Sequence, residues 1–127
     1  MDSRQTILIV EDHEDLRRMY RVALDGAGFL VQEAGDGLGA LKALESGAPD
    51  LIVLDLGLPD IGGLTVLQEV AAQARTREIP ILVVTGSTLN LADLQVACVL
   101  KKPASPQVLV TAVQNCLSSG DSGDPTG

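Results

Sequence analysis

Three uninterrupted apolar runs constrain the fold of this chain more than any other feature of its sequence. They occupy residues 7–10, 51–54 and 81–84. A strand that is apolar at every position must be buried on both faces, which occurs in parallel sheets covered by helices on each side. Runs of this length are typical of strands and too short for buried helices. The three runs therefore predict the central strands of a parallel sheet in an α/β protein.

Amphipathic segments separate these runs. The first has apolar residues at the i, i+3, i+4 and i+7 positions expected for a helix that faces the core: Leu16, Met19, Tyr20 and Ala23. Gly26 and Gly28 are expected to close this helix. Weaker patterns predict two more strands and further helices: strands 30–33 and 98–100, and helices 38–44, 64–74, 90–96 and 106–117. Ser105 is the expected N-cap of the last helix, with Pro106 at its first position.

Five strands that alternate with helices predict a (βα)5 fold, a doubly wound five-stranded parallel sheet with a helical layer on each face. The chain has 127 residues, which suits one domain. We expect that domain over residues 1–117. The remaining segment, 118–127, is rich in Ser, Gly and Asp and is expected to be a disordered tail.

Charge and composition narrow the range of partners and compartments. A net charge of −8 disfavours direct binding to nucleic acid or to anionic lipid. Cys98 and Cys116 have no CxxC spacing, and His13 is the only histidine, so a disulfide framework or a zinc site is not expected. We expect both thiols to be buried. No segment resembles a signal peptide or a membrane span, so the prediction is a soluble cytoplasmic protein.

Polar side chains follow four of the five predicted strands, at the point where each strand ends. In chain order they are Glu11 with Asp12, Asp55, Thr85 and Lys102. The carboxyl ends of parallel strands meet at one edge of the sheet, where open α/β proteins place their chemistry. We therefore expect three carboxylates, one hydroxyl and one ammonium group in a single pocket.

This set of groups suits phosphoryl transfer. Clustered carboxylates repel one another unless a cation intervenes, and Mg2+ prefers oxygen ligands that it often shares with a phosphate. A carboxylate such as that of Asp55 is a competent nucleophile toward phosphorus. Lys102 and Thr85 offer an ammonium charge and a hydroxyl to phosphoryl oxygens.

Each of these residues also has an ordinary structural interpretation. Glu11 and Asp12 suit the start of a helix, whereas Asp55 and Thr85 suit turns. Their joint occurrence, one group at each expected strand end, favours the functional interpretation. His13 lies beside the acid pair, but a metal-ligand role is disfavoured because the sequence holds no second histidine.

Several motifs of this chain resemble those of the response regulator receiver family, of the single-domain type. They are Val10-Glu11-Asp12, the run from Leu54 to Pro59 with Gly63, Val84-Thr85-Gly86, Lys102-Pro103, and Asp36-Gly37 with Ala40-Leu41. The resemblance covers about residues 5–117. It implies a flavodoxin-like sheet with strand order 2-1-3-4-5, and a phosphoacceptor that takes part in a two-component phosphorelay.

The resemblance also implies roles for individual residues. Asp55 would be the phosphoacceptor, and Thr85 and Lys102 would contact the phosphoryl group. Glu11, Asp12, Asp55 and the backbone carbonyl of Gly57 would bind Mg2+. The Lys102–Pro103 bond would be cis. The donor would be a phosphohistidine on a sensor histidine kinase or phosphotransfer domain, and the signal would pass to a separate target. Such a protein catalyses its own phosphorylation rather than the turnover of an external substrate.

Three features depart from the family pattern. Val99 stands where relatives usually carry an aromatic ring that moves on activation. Lys102 follows Thr85 by only 17 positions, fewer than is usual, which predicts a shortened or irregular fourth helix. Gly57 and Gly86 have no side chains, so we expect an open site.

Three other functions compete with the receiver. The first is a receiver-like scaffold that binds proteins independently of phosphorylation. The second is a phosphatase with an aspartyl-phosphate intermediate, which would need a general acid where Gly57 stands. The third is a nucleotide or flavin binder, whose first loop would need free amides rather than the acids at 11–15.

Overall fold

The computed structural model describes residues 3–58, 61–86 and 96–122. These residues form five strands and four helices, which are in chain order β1 (Thr6–Val10), α1 (Glu14–Gly26), β2 (Leu30–Ala34), α2 (Gly37–Ser46), β3 (Leu51–Leu54), α3 (Gly63–Ala72), β4 (Ile81–Thr85), β5 (Cys98–Lys101) and α4 (Pro106–Ser122). All strands pair in parallel in the order β2-β1-β3-β4-β5. The predicted fold class and strand order are therefore confirmed.

The central strands explain the three apolar runs. Successive side chains of a strand point to opposite faces of the sheet. In β3, Ile52 and Leu54 join a core cluster that α2 and α3 cover, whereas Leu51 and Val53 join a second cluster beneath α1 and α4. β1 and β4 alternate in the same way. The prediction that these strands are buried on both faces is confirmed.

Side chains cap three of the helices at their first turns. The Ser105 hydroxyl accepts a hydrogen bond from the Val108 amide at 3.1 Å, which confirms the predicted cap of α4. Asp36 caps α2 by accepting from the Gly39 amide at 2.7 Å. His13 caps α1, because its Nδ1 accepts from the Leu16 amide at 3.2 Å. Each cap satisfies a backbone amide that has no partner within its helix.

Two expectations about α1 and α4 were wrong. Met19 is 47% exposed, because the buried stripe of α1 follows Tyr20 and Leu24, and a residue one position before Tyr20 is rotated by about 100° around the helix. The backbone of α4 continues to Ser122, five residues beyond the expected end at Leu117. Ser and one Gly are tolerated once a helix has formed, because extension is far easier than nucleation.

The cysteines are partly rather than fully buried. Cys98 on β5 and Cys116 on α4 pack against the cluster beneath α1 and α4. Burial, together with the nearby Cys98 thiol, raises the pKa of Cys116 to about 11. Both thiols therefore contribute apolar packing, as expected, with less burial than predicted.

Other expectations concern segments outside the described ranges. The shortened helix before β5 falls mostly on residues 87–95, Pro59 lies in the gap at 59–60, and the end of the expected tail lies at 123–127. The division into a domain and a tail stays a prediction.

None of the helices within the described ranges is long and apolar enough to cross a bilayer.

Candidate functional site

The polar residues predicted to converge stand at one edge of the sheet. Val10 pairs with Leu54 in the register of β1 and β3, so Glu11 and Asp55 leave neighbouring strands side by side. Thr85 ends β4 and pairs with Lys101 of β5. Lys102 follows directly, and its amide donates to the Thr85 carbonyl at 3.0 Å. Strand register alone thus brings these residues to a common edge.

Lys102 links the two buried carboxylates of this edge. Its Nζ lies 2.9 Å from Glu11 Oε1 and 3.2 Å from Asp55 Oδ2. The side chains of Glu11 and Asp55 are only 3% and 7% exposed, whereas that of Lys102 is 25% exposed. Because little water screens the two carboxylates, charge-assisted hydrogen bonds of this kind are strong. The Lys102–Pro103 bond is cis, as the family resemblance implied.

Burial and charge shift the pKa values of Glu11 and Lys102. Burial raises the pKa of Glu11, and the charge of Asp55 adds to the effect against the opposing influence of Lys102 and the His13 amide. Burial alone would lower the pKa of Lys102, but the bonds and charges of Glu11 and Asp55 outweigh it and raise that pKa. Lys102 therefore stays an ammonium group at neutral pH.

A third carboxylate, that of Asp12, completes an acidic group. Oxygen atoms of Glu11, Asp12 and Asp55 all lie within 4.8 Å of one another. Lys102 supplies one positive charge against three carboxylates, which leaves two negative charges for another cation to balance. Oxygen-only ligands at this separation fit a hard divalent cation such as Mg2+. Asp12 is exposed while its two neighbours are buried, so the group opens to solvent on the Asp12 side.

The backbone after β3 fixes the Asp55 side chain. The Asp55 amide donates to the Val10 carbonyl at 3.0 Å, and Asp55 Oδ1 accepts from the Gly57 amide at 2.9 Å. A Cβ at Gly63 would lie 2.4 Å from the Leu56 Cα, so α3 packs against this loop only because residue 63 is glycine. A Cβ at Gly57 would make an ordinary contact with Asp55, and one at Gly86 would also fit. The open site expected at these two glycines is consistent with this space.

The contacts of Thr85 leave the role of its hydroxyl a prediction, whereas those of His13 identify a structural residue. Thr85 is 2% exposed, and its backbone carbonyl holds the Lys102 amide. The role of its hydroxyl toward a phosphoryl group stays a prediction, as does that of the Gly57 carbonyl toward a metal. His13 uses Nδ1 for the helix cap, and its amide donates to Glu11 Oε2 at 3.1 Å. His13 is therefore a structural residue beside the site.

Two residues that sequence reasoning did not connect with the site contact its backbone. Arg17 Nη1 donates to the Glu11 carbonyl at 2.9 Å, and Arg17 Nε donates to Glu33 Oε1 at 3.0 Å. The Tyr20 hydroxyl donates to the Ala104 carbonyl at 3.1 Å. Tyr20 carried a signal, because a tyrosine in an apolar stripe requires a hydrogen-bond partner for its hydroxyl. Nothing in the pattern identified the partner of Arg17.

Comparisons with known proteins agree with this arrangement. The family model described as the response regulator receiver domain matches residues 7–114. The DNA-binding response regulator MtrA of Mycobacterium tuberculosis is 34% identical over 124 residues, which cover 93% of this chain and 53% of MtrA. The chain thus spans about half the length of the MtrA relatives it matches.

Smaller relatives match over nearly their full length. The chemotaxis protein CheY of Pseudomonas aeruginosa is 34% identical over 114 residues, which cover 85% of this chain and 92% of CheY. The solved structure of the chemotaxis response regulator CheY4 of Vibrio cholerae superposes with a TM-score of 0.83 at 27% identity. The superposition covers 90% of this chain and 99% of the CheY4 chain.

Proposed function

Because this chain belongs to the response regulator receiver family of two-component systems, we propose that it accepts a phosphoryl group on Asp55. One observation carries the proposal: a buried carboxylate lies 3.2 Å from the ammonium group of Lys102 and within 4.8 Å of two further carboxylates. These contacts support the assignment of Asp55 as the nucleophile, Lys102 as the phosphoryl-binding cation and the three carboxylates as the metal site.

The transfer itself needs little from the protein beyond placement and charge. A carboxylate oxygen of Asp55 attacks the phosphorus of a phosphohistidine, the new O–P bond forms, and the P–N bond to the imidazole breaks. Lys102 binds a phosphoryl oxygen as it leaves its present bond to Asp55 Oδ2, and Thr85 donates its hydroxyl to another. The added charge of roughly −1.5 to −2 on Asp55 then alters the forces on Lys102 and Thr85.

The acidic group would hold Mg2+, with Glu11, Asp12, Asp55 and the Gly57 carbonyl as ligands. When bound, the ion offsets negative charge on the transferring group and orients it for attack. Glu11 is held for this task on both sides of its carboxylate, because Oε1 contacts Lys102 and Oε2 accepts from the His13 amide. Asp12, exposed to solvent, is the ligand that an incoming ion would meet first.

The donor would be a sensor histidine kinase or a histidine phosphotransfer domain in the cytoplasm, and the modified receiver would act on a separate target. The expectation that the chain makes no direct contact with nucleic acid stays a prediction, since MtrA relatives are DNA-binding regulators. Phosphatase chemistry is disfavoured because Gly57 cannot act as a general acid. A scaffold that works without phosphorylation has no support in the geometry of the site.

Intact mass tests the proposal directly. We expect the protein to gain one phosphoryl group when incubated with Mg2+ and a small acyl phosphate donor. Asp55→Asn should remove the adduct entirely, whereas Asp25→Asn, the same change at an exposed position on α1, should leave it intact. An adduct that persists in Asp55→Asn would refute the assignment. A lack of adduct with both the small donor and a phosphorylated kinase would favour the scaffold.

A further inference from the structure

Among the described residues, hydrogen bonds of Lys102, Ala104 and Ser105 hold the turn that carries Lys102. The Lys102 amide is fixed by the Thr85 carbonyl, but the next residue, Pro103, has no amide hydrogen to donate. Ser105 already uses its hydroxyl and its carbonyl to start α4. Between these anchors lies Ala104, whose carbonyl accepts the Tyr20 hydroxyl at 3.1 Å. This bond is made two residues after the lysine that contacts both buried carboxylates.

Tyr20 is well suited to hold another segment still. It is only 1% exposed and packs in the cluster beneath α1 and α4, together with Leu24 and Leu109. A ring packed at interior density has one orientation, so the position of its hydroxyl is fixed as well. Ala104 packs against the same cluster. The bond therefore joins the turn after β5 to α1, the helix that begins just after Glu11 and Asp12.

The Tyr20 hydroxyl also lies within the field of the site. Burial raises its pKa, the Lys102 charge opposes that effect, and the charges of Glu11 and Asp55 add to it. Lys102, Glu11 and Asp55 act on the Tyr20 hydroxyl through charge, whereas its hydrogen bond to the Ala104 carbonyl connects it directly to the turn that carries Lys102.

We propose that Tyr20 is a positioning residue, which holds the Lys102 turn against α1 so that the ammonium group meets Asp55 in phosphoryl transfer. This rests on the function proposed above. It extends that function to a residue that the family resemblance did not implicate. The consequence is specific: loss of the hydroxyl should affect the step that uses Lys102 and spare metal binding by the acidic group.

The test compares two variants that each lose one buried hydroxyl. Tyr20→Phe removes the bond to Ala104, and Thr76→Val removes a matched bond, from the Thr76 hydroxyl to the Val70 carbonyl at 2.7 Å. Thr76 is 1% exposed and precedes β4. It therefore lies toward the amino ends of the strands, away from the carboxyl ends that form the site. The measurements are the initial phosphorylation rate with a small acyl phosphate at saturating Mg2+, and the Mg2+ affinity by calorimetry.

We expect Tyr20→Phe to slow phosphorylation by about three- to tenfold, the range that one net hydrogen bond corresponds to. Its Mg2+ affinity should stay within about twofold of wild type, since the metal ligands are untouched. Thr76→Val should leave the rate unchanged. In a Lys102→Ala background, Tyr20→Phe should have no further effect, because the group it positions is gone. An unchanged rate, or equal slowing in that background, would overturn the proposal.

Backbone amide spectra separate this proposal from the proposed function. Without Mg2+ or donor, Tyr20→Phe should shift the amide signals of Ser105, which shares a peptide group with the Ala104 carbonyl, and of Lys102. Thr76→Val should shift neither. If wild type is never phosphorylated, the proposed function fails, yet these shifts still decide whether Tyr20 holds the lysine turn. An unmoved Lys102 signal would overturn the positioning role whatever the phosphorylation result.

Discussion

The two halves of the site rest on very different parts of the sheet. Glu11 and Asp55 follow β1 and β3, central strands whose side chains are almost entirely buried. Lys102 follows β5, which lies at the edge of the sheet and is only partly buried. The acidic half is therefore fixed by the core itself, whereas the lysine half depends on individual hydrogen bonds. From this comparison we expect the proposed nucleophile Asp55 and the buried Glu11 to be firmly held, and adjustment to an added phosphoryl group to occur on the Lys102 side.

The largest expected difference between the halves is in the cost of losing a side chain. Leu8 of β1 is fully buried, and Leu8→Ala should lower the free energy of unfolding by about 3 kcal/mol, within the usual range for core leucines. Leu100 of β5 is partly buried, so Leu100→Ala should cost about 1 kcal/mol. Urea denaturation measures both. Equal costs would break the comparison, because β5 would then be as firmly packed as the centre.

The next largest effect concerns the positive charge of Lys102, which contacts both Glu11 and Asp55. Lys102→Met keeps most of the apolar length of the side chain but leaves Glu11 and Asp55 without their cation. We expect it to lower stability in metal-free buffer by about 1–2 kcal/mol, less than for a fully buried pair because Lys102 is partly exposed.

Mg2+ sharpens this second test. The ion should stabilise Lys102→Met more than wild type, since it would balance carboxylates that lysine no longer neutralises. The control is Lys42→Met, at an exposed position on α2. If Mg2+ stabilises wild type and Lys102→Met equally, Lys102 and the proposed Mg2+ site are not electrostatically coupled.

The same contrast explains what could be predicted from the sequence. Central strands are read from apolar runs because burial on both faces leaves no polar position in them, and their ends then place Glu11 and Asp55. The orientation of α1 gives weaker signals. Met19 looked like a core residue, because spacing alone does not say where the buried stripe of a helix is centred. The bonds of Arg17 and Tyr20 to distant carbonyls depend on how α1 is oriented, which no local pattern records.

A pH effect of intermediate size should separate Glu11 from ordinary surface acids. Its pKa is raised in the fold, so the protonated form favours the native state. The contribution of Glu11 is therefore fully present below the unfolded value near 4.5 and is lost as pH rises through the folded pKa. Each unit of difference corresponds to about 1.4 kcal/mol.

Replacing the titrating group isolates this effect. In metal-free buffer, the unfolding free energy of wild type should fall between pH 4 and pH 7 as Glu11 loses its proton. Glu11→Gln should lack this part of the fall. Glu45→Gln, an exposed change on α2, should retain the wild-type profile. Parallel profiles for wild type and Glu11→Gln would show that burial of Glu11 is fully compensated by Lys102 and the His13 amide.

The smallest expected effect tests whether hydrogen bonds near Lys102 hold the turn between β5 and α4. Ser105 caps α4 immediately after the lysine turn, and Ser105→Ala should lower the free energy of unfolding by about 1 kcal/mol or less. Ser46→Ala, at the exposed end of α2, should change it by less than about 0.5 kcal/mol. If β5 and α4 rely on single bonds, Ser105→Ala should also increase amide exchange at Lys102 and spare the amide of Asp55, which β1 secures. If the amides of Lys102 and Asp55 stay equally protected from exchange in Ser105→Ala, the core anchors the turn and the Ser105 bond is not needed to hold it.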